Sequence, residues 1–391
     1  NEIVRECIKR DLIGKRRHTI DTTDVAANVN YPSEKKLIAN AFTKVSKEIS
    51  RFNEQLAEEQ LERFEADIQR EYEKNDKVSA KKHFEIAQER LEYLYLRTYE
   101  ELQTNRKYQE AFGLCHDLVD QYINNKKDKI VSTVDSDARI AHKSPGNIKK
   151  GYKDHIIVDE DSEIILASVQ TPFNVGDEKK LQELVEKVEE ELNIKPEEIT
   201  ADKIYGTIDN RAYLKDKKIT SNIAFYKESS RETQYYGLKD FEVSKDLNRV
   251  TCPNGKSTEE FRITHDKESN KDFKQFKFNE KDCKECPLKE QCLYRDKKGK
   301  LQTKGRRVDV PMRYEVVLTD RERVKTSEFE EAYNKRFIVE GRFATMVRKR
   351  GLRRCRYIGL EKAKTHIIMA NMACNIVRMV NLLFQPSVAA T

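Results

Sequence analysis

Three acidic residues, Asp21, Asp202 and Glu340, have the chemistry and the setting needed to hold hard divalent cations. Asp21 lies in the strand-like run 18–23, Asp202 lies in the short apolar run 199–204, and Glu340 lies in a late helical stretch. Two-metal phosphoryl transfer needs carboxylates from separate elements, which hold two cations about 3.5 to 4 Å apart. By periodicity alone the pattern is also that of turn residues or helix caps, which are the commoner use of such residues.

Basic residues are concentrated around and after Glu340. The chain as a whole carries 75 Lys and Arg against 68 Asp and Glu, so its net charge of +7 is modest and its distribution matters more. From 336 to 364 the only acidic residues are Glu340 and Glu361. Such a run is usually a solvated helix face, but its density suits a phosphate backbone. The candidate phosphate ligands are Arg348, Lys349, Arg350 and Arg353.

Four cysteines form a second candidate site, in a lysine-rich stretch with few apolar residues. A C-x-x-C pair can bring two thiolates to one Zn²⁺ at about 2.3 Å, and two further cysteines can complete a tetrahedral structural site. The alternative is a set of reduced thiols without a metal. The four are Cys252, Cys283, Cys286 and Cys292, whereas Cys7, Cys115, Cys355 and Cys374 lie in helical patterns and are expected to pack in cores.

The elements that must position these residues can be predicted from periodicity. A helix is expected at 3–13, and the segment from Ser33 to about Asn125 has the three- and four-residue apolar spacing of two to four long helices, broken near Asn75. Later patterns predict strands at 129–134, 152–158, 164–170, 199–204 and 220–225, helices at 177–192 and 209–217, a polar insertion at about 227–307, and a helical end at 327–384.

Four segments of the chain resemble the successive signatures of DDE transposases from bacterial insertion sequences. They occur in the family's order along nearly the whole chain: Ile20-Asp21-Thr22-Thr23-Asp24-Val25-Ala26-Ala27-Asn28, Gly151-Tyr152-Lys153-Asp154-His155, Ala201-Asp202-Lys203-Ile204-Tyr205-Gly206, and Tyr333-Asn334-Lys335-Arg336-Phe337-Ile338-Val339-Glu340-Gly341-Arg342-Phe343. The third contains an A-D-x-x-Y motif and the fourth a Y-x-x-R-x-x-x-E motif.

The resemblance implies an α/β fold, a ribonuclease-H-like mixed sheet flanked by helices and interrupted by a long helical insertion and a cysteine-rich insertion. It implies that Asp21, Asp202 and Glu340 bind Mg²⁺, which Mn²⁺ can replace, to cut and rejoin double-stranded DNA at terminal repeats and target. It also assigns Tyr333 and Arg336, aligned with Glu340 on one helix face, to phosphate and flanking DNA. A homodimer on paired ends is the expected assembly.

Two features depart from the family's pattern. Family members often have a lysine seven residues beyond the glutamate, where this chain has Val347, so that Arg348 or Lys349 is expected to supply the cation. Some relatives have a D-x-D-A element, matched here by Asp135 and Asp137, which compete with Asp21 as the first carboxylate. We favour Asp21, because a D-T-T sequence closing the first strand is typical of that position. His155 is expected to pack rather than to react.

The changes of pattern divide the chain into five segments. These are 1–33, the start of the catalytic domain with Asp21; 34–128, a helical insertion; 129–228, core strands and helices with Asp202; 229–310, the cysteine-containing insertion; and 311–391, the C-terminal catalytic helices with Glu340.

The location expected of the chain is the bacterial cytoplasm, in association with the nucleoid. No apolar run approaches the roughly 18 to 20 residues of a membrane span, and no signal peptide opens the sequence. The first residue is Asn1 rather than Met, as expected of a fragment or processed product. Two other classes of protein compete with the enzyme: a transposase-derived DNA-binding protein without catalysis, and a coiled-coil interaction protein, which leaves the strands and the cysteine cluster unexplained.

Overall fold

The computed structural model describes residues 2–14, 16–144, 147–226, 235–296, 299–302 and 304–384. Within these ranges the strands are β1 (Arg17–Ala26), β2 (Arg139–Ser144), β3 (Asn147–Asp159), β4 (Ile165–Pro172), β5 (Glu198–Ala201), β6 (Thr220–Ile223), β7 (Glu242–Val243), β8 (Val250–Thr251), β9 (Ser257–Thr258), β10 (Phe261–Asp266), β11 (Lys271–Lys277) and β12 (Arg307–Pro311). The α-helices are α1 (Glu2–Lys9), α2 (Glu34–Ile49), α3 (Glu54–Lys74), α4 (Ala80–Arg97), α5 (Tyr99–Thr104), α6 (Arg106–Ile123), α7 (Leu181–Leu192), α8 (Ile208–Asp216), α9 (Glu280–Lys284), α10 (Lys289–Cys292), α11 (Glu315–Arg323), α12 (Ser327–Asn334), α13 (Phe337–Arg350) and α14 (Leu360–Phe384).

The central sheet is mixed, with β1 in its middle. Strand β1 pairs antiparallel with β3 on one side and parallel with β5 on the other. Strands β2 and β4 both pair antiparallel with β3, with β2 on its first residues and β4 on the rest. On the other side of β1, β5 pairs parallel with β6. Because β1 and β5 run in the same direction, the residues that follow their pairing emerge at the same edge of the sheet.

Helices cover both faces of this sheet. On one face Ile20 packs in a core with α1, α7 and Leu214 of α8. On the other, Val25 packs with Val339 of α13 and Ile367 of α14. Neighbouring residues of a strand point to opposite faces, so one strand can serve both cores. The predicted α/β class, a mixed sheet with flanking helices, is confirmed.

Helices α2 to α6 form a body with its own apolar core between β1 and β2. Four of them have 16 to 21 residues, and α5 is a short helix of 6 residues. Phe42 stacks on Phe64, and Phe84 stacks on Tyr122, both with ring centroids 4.4 Å apart. None of the three candidate carboxylates belongs to this body.

The strand predicted at 129–134 is wrong, because this segment has no regular secondary structure. Ile130 and Val131 are buried, which produced the strand-like pattern. The Ser132 hydroxyl accepts hydrogen bonds from the backbone N–H groups of Val134 and Asp135. A side chain that forms hydrogen bonds with the nearby backbone in this way replaces the hydrogen bonds that a neighbouring β-strand would provide.

The segment after β6 has more structure than its polar sequence predicts. Strands β10, β11 and β12 form one sheet and β7, β8 and β9 form another. Phe276, Val308 and Val250 belong to one small core, which also includes Val316 of α11. The predicted boundary at 228/229 lies outside the described residues.

Helix α14 is long and apolar enough, by length and composition, to cross a membrane, which the search for apolar runs did not anticipate. Its inner face instead packs on the sheet. The side chain of Asn375 accepts a hydrogen bond from the backbone N–H of Ile165 at 2.9 Å and donates one to its carbonyl at 2.8 Å. Arg378 on the same helix donates to the carbonyl of Ser162. These polar contacts are those of a helix seated on a sheet.

Candidate active site

Asp21 lies in the middle of β1 rather than at its end, where it was predicted. The strand continues to Ala26 because β3 supports its whole length. The parallel pairing with β5, however, ends at Ile20, opposite Ala201. Asp21 is therefore the first residue of β1 beyond β5, which still leaves its side chain at the edge where parallel strands end.

Asp202 follows β5 directly and stands in the position equivalent to Asp21. Its backbone remains extended, at φ −62° and ψ 153°. Because Ile20 and Ala201 are paired and the strands are parallel, the next residue on each strand is a neighbour, about 5 Å away across the sheet. The two aspartates are separated by most of the chain's first half and meet only through this register.

Glu340 comes from the first turn of α13, which packs against β1. The prediction that Tyr333, Arg336 and Glu340 share one helix is wrong: Tyr333 belongs to α12, Arg336 is the residue before α13, and Glu340 belongs to α13. The helix tightens at this link, because the N–H of Arg336 bonds to the carbonyl of Tyr333, three residues back.

The three carboxylates converge on a single guanidinium nitrogen. Arg336 Nη2 lies 3.3 Å from Asp21 Oδ2, 3.6 Å from Asp202 Oδ2 and 3.9 Å from Glu340 Oε1. Its other terminal nitrogen, Nη1, donates to the Tyr333 hydroxyl at 3.5 Å. Residues from three distant segments thus form one acidic cluster around one cation.

Burial and charge act in opposite directions on this cluster. Burial raises the pKa of Asp21, against the backbone N–H of Thr22 and the charge of Arg336, which both lower it. Burial lowers the pKa of Arg336, but the charges of Asp21 and Asp202 outweigh it and leave this pKa raised. The guanidinium therefore stays charged and compensates the carboxylates beside it.

A hydrogen-bond chain that the sequence analysis did not identify ties the two aspartate segments together from the opposite face of β1. The Thr22 hydroxyl bonds to the Tyr205 hydroxyl at 2.6 Å and to His155 Nδ1 at 2.8 Å. His155 Nε2 bonds to the Thr171 hydroxyl at 2.9 Å. Burial lowers the pKa of His155 to about 3, so the ring is neutral and its role is positional. The tyrosine of the A-D-x-x-Y motif, Tyr205, is the sequence feature that could have indicated this hydrogen-bond chain.

The competing first carboxylates, Asp135 and Asp137, bond elsewhere. Asp135 is buried, and its Oδ1 accepts from the Tyr152 hydroxyl at 2.6 Å and from the backbone N–H of Ala138. Tyr152 pairs with Val25, four residues and about 13 Å along β1 from Asp21. Asp137 Oδ2 accepts from the N–H of Leu360 at the start of α14. Both carboxyl groups support turns.

In the comparison with protein families, residues 251–380 match the model of a family described as a transposase DDE domain. This stretch of the chain is similar to a transposase DDE domain. The match includes Arg336 and Glu340 but begins after Asp21 and Asp202 in the chain. Comparison with curated proteins finds no match, and comparison with solved structures finds none.

Within the matched stretch the basic residues after Glu340 differ in their exposure. Arg348 and Lys349 are exposed on α13, Arg350 is half-buried, and Arg353 is exposed on the loop that follows. This loop is attached to β1, because the N–H of Ala26 bonds to the carbonyl of Arg353 at 3.0 Å. The exposed cations are thereby held at a fixed position relative to the central strand.

The four cysteines of the insertion line one small cavity of about 30 Å³, with Arg306 also in its wall. The N–H of Leu288 donates to Cys286 Sγ at 3.4 Å and that of Arg306 to Cys283 Sγ at 3.5 Å. Burial raises the pKa of Cys292 to about 11. The other four cysteines, Cys7, Cys115, Cys355 and Cys374, are buried in cores.

Neither cluster has the distances of an assembled metal site. Among the residues that the structure describes, no group of three or more His, Cys, Asp or Glu meets the geometry for holding an ion. The donor chemistry of the acidic cluster nevertheless fits Mg²⁺, which prefers carboxylate oxygen. The oxygens surround a guanidinium and are therefore spaced more widely than a metal ion would hold them.

Proposed function

We propose that the chain is a DDE transposase that cuts and joins the DNA of an insertion sequence, using Asp21, Asp202 and Glu340. The observation that carries this proposal is the convergence of all three carboxylates on Arg336 Nη2. Two-metal phosphoryl transfer requires carboxylates from separate elements to lie close together, and these three do so around one cationic atom.

In this proposal each side chain has a defined part in an in-line displacement. Water attacks phosphorus, the bond to the 3′ oxygen breaks, and a 3′-hydroxyl and a 5′-phosphate result. The 3′-hydroxyl then attacks a target phosphodiester, bonds to its phosphorus and displaces the 3′ oxygen of the target strand, which leaves as a 3′-hydroxyl. Two bound Mg²⁺ ions would activate the attacking oxygen and neutralise the leaving one. Asp21, Asp202 and Glu340 would hold these ions, while Arg336 and Tyr333 would bind phosphate and flanking DNA.

We also propose that the catalytic body is ribonuclease-H-like. The strand order β4, β3, β1, β5, β6 supports it, with an antiparallel pair on one side of β1 and parallel strands on the other. The helical insertion at 34–128 and the cysteine-containing insertion at 229–310 then interrupt this body between its strands and before its last helices.

The DNA path follows from the faces of α13. A residue eight positions after Glu340 is turned by about 80° around the helix and one nine positions after it by about 180°, which favours Arg348 over Lys349 as the phosphate-binding cation. Arg353, on the loop attached to β1, extends this surface, whereas the half-buried side chain of Arg350 interacts with Cys374 of α14. We propose double-stranded terminal repeats and target DNA as ligands, a homodimer on paired ends, and a nucleoid-associated place in the bacterial cytoplasm.

For the insertion we propose a structural Zn²⁺ held by Cys252, Cys283, Cys286 and Cys292. Their shared cavity and the backbone N–H donors to two of the sulfurs support it. Metal analysis of the purified full chain tests it: we expect zinc in the wild type, its loss in Cys286→Ser, and its retention in Cys374→Ser, whose thiol lies in another core. A zinc-free wild type would leave four reduced thiols.

The test of the proposed function is Mg²⁺-dependent cleavage of DNA that carries the sequences flanking the coding region. We expect Asp21→Asn to abolish cleavage and EDTA to stop it in the wild type, while Asp137→Asn retains it. Binding without cleavage in every protein would instead support a catalytically inactive, transposase-derived DNA-binding protein.

A further inference from the structure

Arg336 cannot bind a DNA phosphate and contact the three carboxylates at the same time. This inference rests on the proposed function, in which Arg336 is a phosphate ligand. As a phosphate ligand it must point towards DNA. In the structure its Nη2 nitrogen instead contacts all three carboxylates, at 3.3 to 3.9 Å. One guanidinium therefore occupies the position at which the carboxylates converge.

The surroundings of Arg336 hold it in this position. Its side chain is 19% exposed, and its charge lies 5.6 Å from the centre of the Tyr333 ring. Nη1 donates to the hydroxyl of the same tyrosine. The Nε atom is buried without a hydrogen-bond partner. Because Nε has no partner here, the side chain is held by its contacts with the carboxylates and Tyr333, and a different partner could take the place of the carboxylates.

A divalent cation and the guanidinium need the same oxygens. Mg²⁺ requires oxygen ligands at about 2.0 to 2.1 Å, so the carboxylates must move closer together than they are around Nη2. Like charges within about 4 Å of each other in a partly buried site repel strongly. Loading of the metal site therefore requires the Arg336 side chain to leave it.

We propose that Arg336 is an exchangeable internal cation, which neutralises Asp21, Asp202 and Glu340 in the protein alone and transfers to a DNA phosphate when divalent ions bind. Binding of the divalent ion then favours binding of DNA, because the ion displaces Arg336 and leaves it available for a phosphate. Binding of DNA likewise favours binding of the ion, because the phosphate draws Arg336 away from the carboxylates. Such coupling between two ligands is reciprocal. The DDE cluster would thus load metal preferentially when DNA is present.

The test is calorimetric titration of the full chain with Mn²⁺ in the absence of DNA. We expect Arg336→Gln to bind Mn²⁺ more tightly than the wild type by about tenfold, within the roughly 5- to 150-fold range of such couplings. Arg336→Lys keeps the charge and should remain near the wild type. Lys335→Gln is the matched control, because Lys335 is the next residue but pairs with Glu331. Its Mn²⁺ affinity should not change.

A second arm adds a short DNA duplex to the same titrations. The duplex should tighten Mn²⁺ binding by the wild type and have a smaller effect on Arg336→Gln. Equal Mn²⁺ affinities in the wild type and Arg336→Gln would overturn this inference while leaving the proposed function intact. Absence of Mn²⁺ binding in every protein would overturn both. Circular dichroism verifies that Arg336→Gln is folded, and Arg336→Lys provides the comparison if it is not.

Discussion

At the scale of single residues, the three carboxylates of the acidic cluster differ in how firmly they are held. The side chains of Asp21, Asp202 and Glu340 are 19%, 36% and 64% exposed. Asp21 is fixed by a central strand, whereas Glu340 projects from the first turn of a helix. Closure of the cluster around metal ions therefore depends most on movement of the Glu340 side chain towards two aspartates that are already neighbours.

The bond between Tyr205 and Thr22 is expected to keep those two aspartates in register. Tyr205→Phe removes a hydroxyl that is buried and lies 2.6 Å from the Thr22 hydroxyl. We expect it to lower the free energy of unfolding by about 1 kcal/mol and to reduce cleavage more than DNA binding. Urea unfolding and cleavage assays measure the two effects. Tyr99→Phe, at a half-exposed ring, is the control, and a loss there of equal size would contradict the account.

At the scale of elements, the site depends on the close approach of β3 to β1. Gly151 of β3 is opposite Ala26 and has φ +130°, a conformation that disfavours any side chain. A Cβ atom there would lie 2.4 Å from the carbonyl oxygen of Val25. The strand that carries Asp21 is thus positioned partly by a residue that has no side chain.

Gly151→Ala is expected to destabilise the chain by more than about 2 kcal/mol, because backbone atoms cannot move aside as a flexible side chain can. Gly113→Ala is the matched control in α6, where an added Cβ meets nothing within 4 Å. It should stabilise the chain by up to about 1 kcal/mol through helix propensity. Chemical unfolding measures both, and similar effects of the two substitutions would contradict the role given to Gly151.

The contact between β3 and α14 predicts a dependence of stability on pH. Burial raises the pKa of Asp154 from 3.8 to about 7, although Gln170 and Asn371 donate hydrogen bonds to it. The folded state therefore holds an extra proton between these values. The stability contributed by Asp154 is full below about pH 4 and is lost as the pH rises to about 7, by at most about 1.4 kcal/mol per pH unit.

Unfolding of the wild type and Asp154→Asn between pH 4 and pH 8 measures this contribution. The buried His18 and His155, whose pKa values are lowered to about 4 and about 3, act in the opposite direction. Because both proteins contain them, the difference between the two curves isolates Asp154. We expect this difference to change up to about pH 7 and then to level off. Parallel curves over the whole range would contradict the assignment.

The sequence predicted those elements whose pattern is local. The apolar periodicity of α7 and of the long helices, and the alternation in β3 and β4, depend on neighbours within one segment. The register that makes Asp21 and Asp202 adjacent could be inferred only through the family resemblance, since it joins strands that are distant in the chain. The break before α13 and the contact of Arg336 with all three carboxylates were not predictable from local pattern, and that contact joins segments that are distant in the chain.

At the scale of the whole molecule, the net charge of +7 is too small to explain DNA binding by itself. What matters is where the exposed cations lie: Arg348 is about 12 Å along α13 from Glu340, and Arg353 is on the loop attached to β1. A DNA backbone on this surface would pass the three carboxylates. The cysteine-containing insertion, for which we propose a structural Zn²⁺, contributes none of the three carboxylates.

Arg348→Gln is expected to weaken DNA binding in a salt-dependent way. Loss of one phosphate contact should reduce the slope of log affinity against log salt concentration by about 0.9. Fluorescence anisotropy with a labelled duplex at several salt concentrations measures this slope. Arg5→Gln, an exposed residue of α1 paired with Glu2, should leave it unchanged. Equal slopes for Arg348→Gln and the wild type would remove Arg348 from the DNA path.

The most direct test of the central claim is strand transfer by the wild type and by Asp202→Asn, on DNA carrying the flanking sequences, with Mg²⁺ or with EDTA. The account predicts joined products only for the wild type with Mg²⁺, while both proteins bind the DNA. Asp202 is the decisive position because it is adjacent to Asp21 through strand register and contacts Arg336. Joining by Asp202→Asn at the wild-type rate would contradict the assignment of the acidic cluster as the catalytic centre.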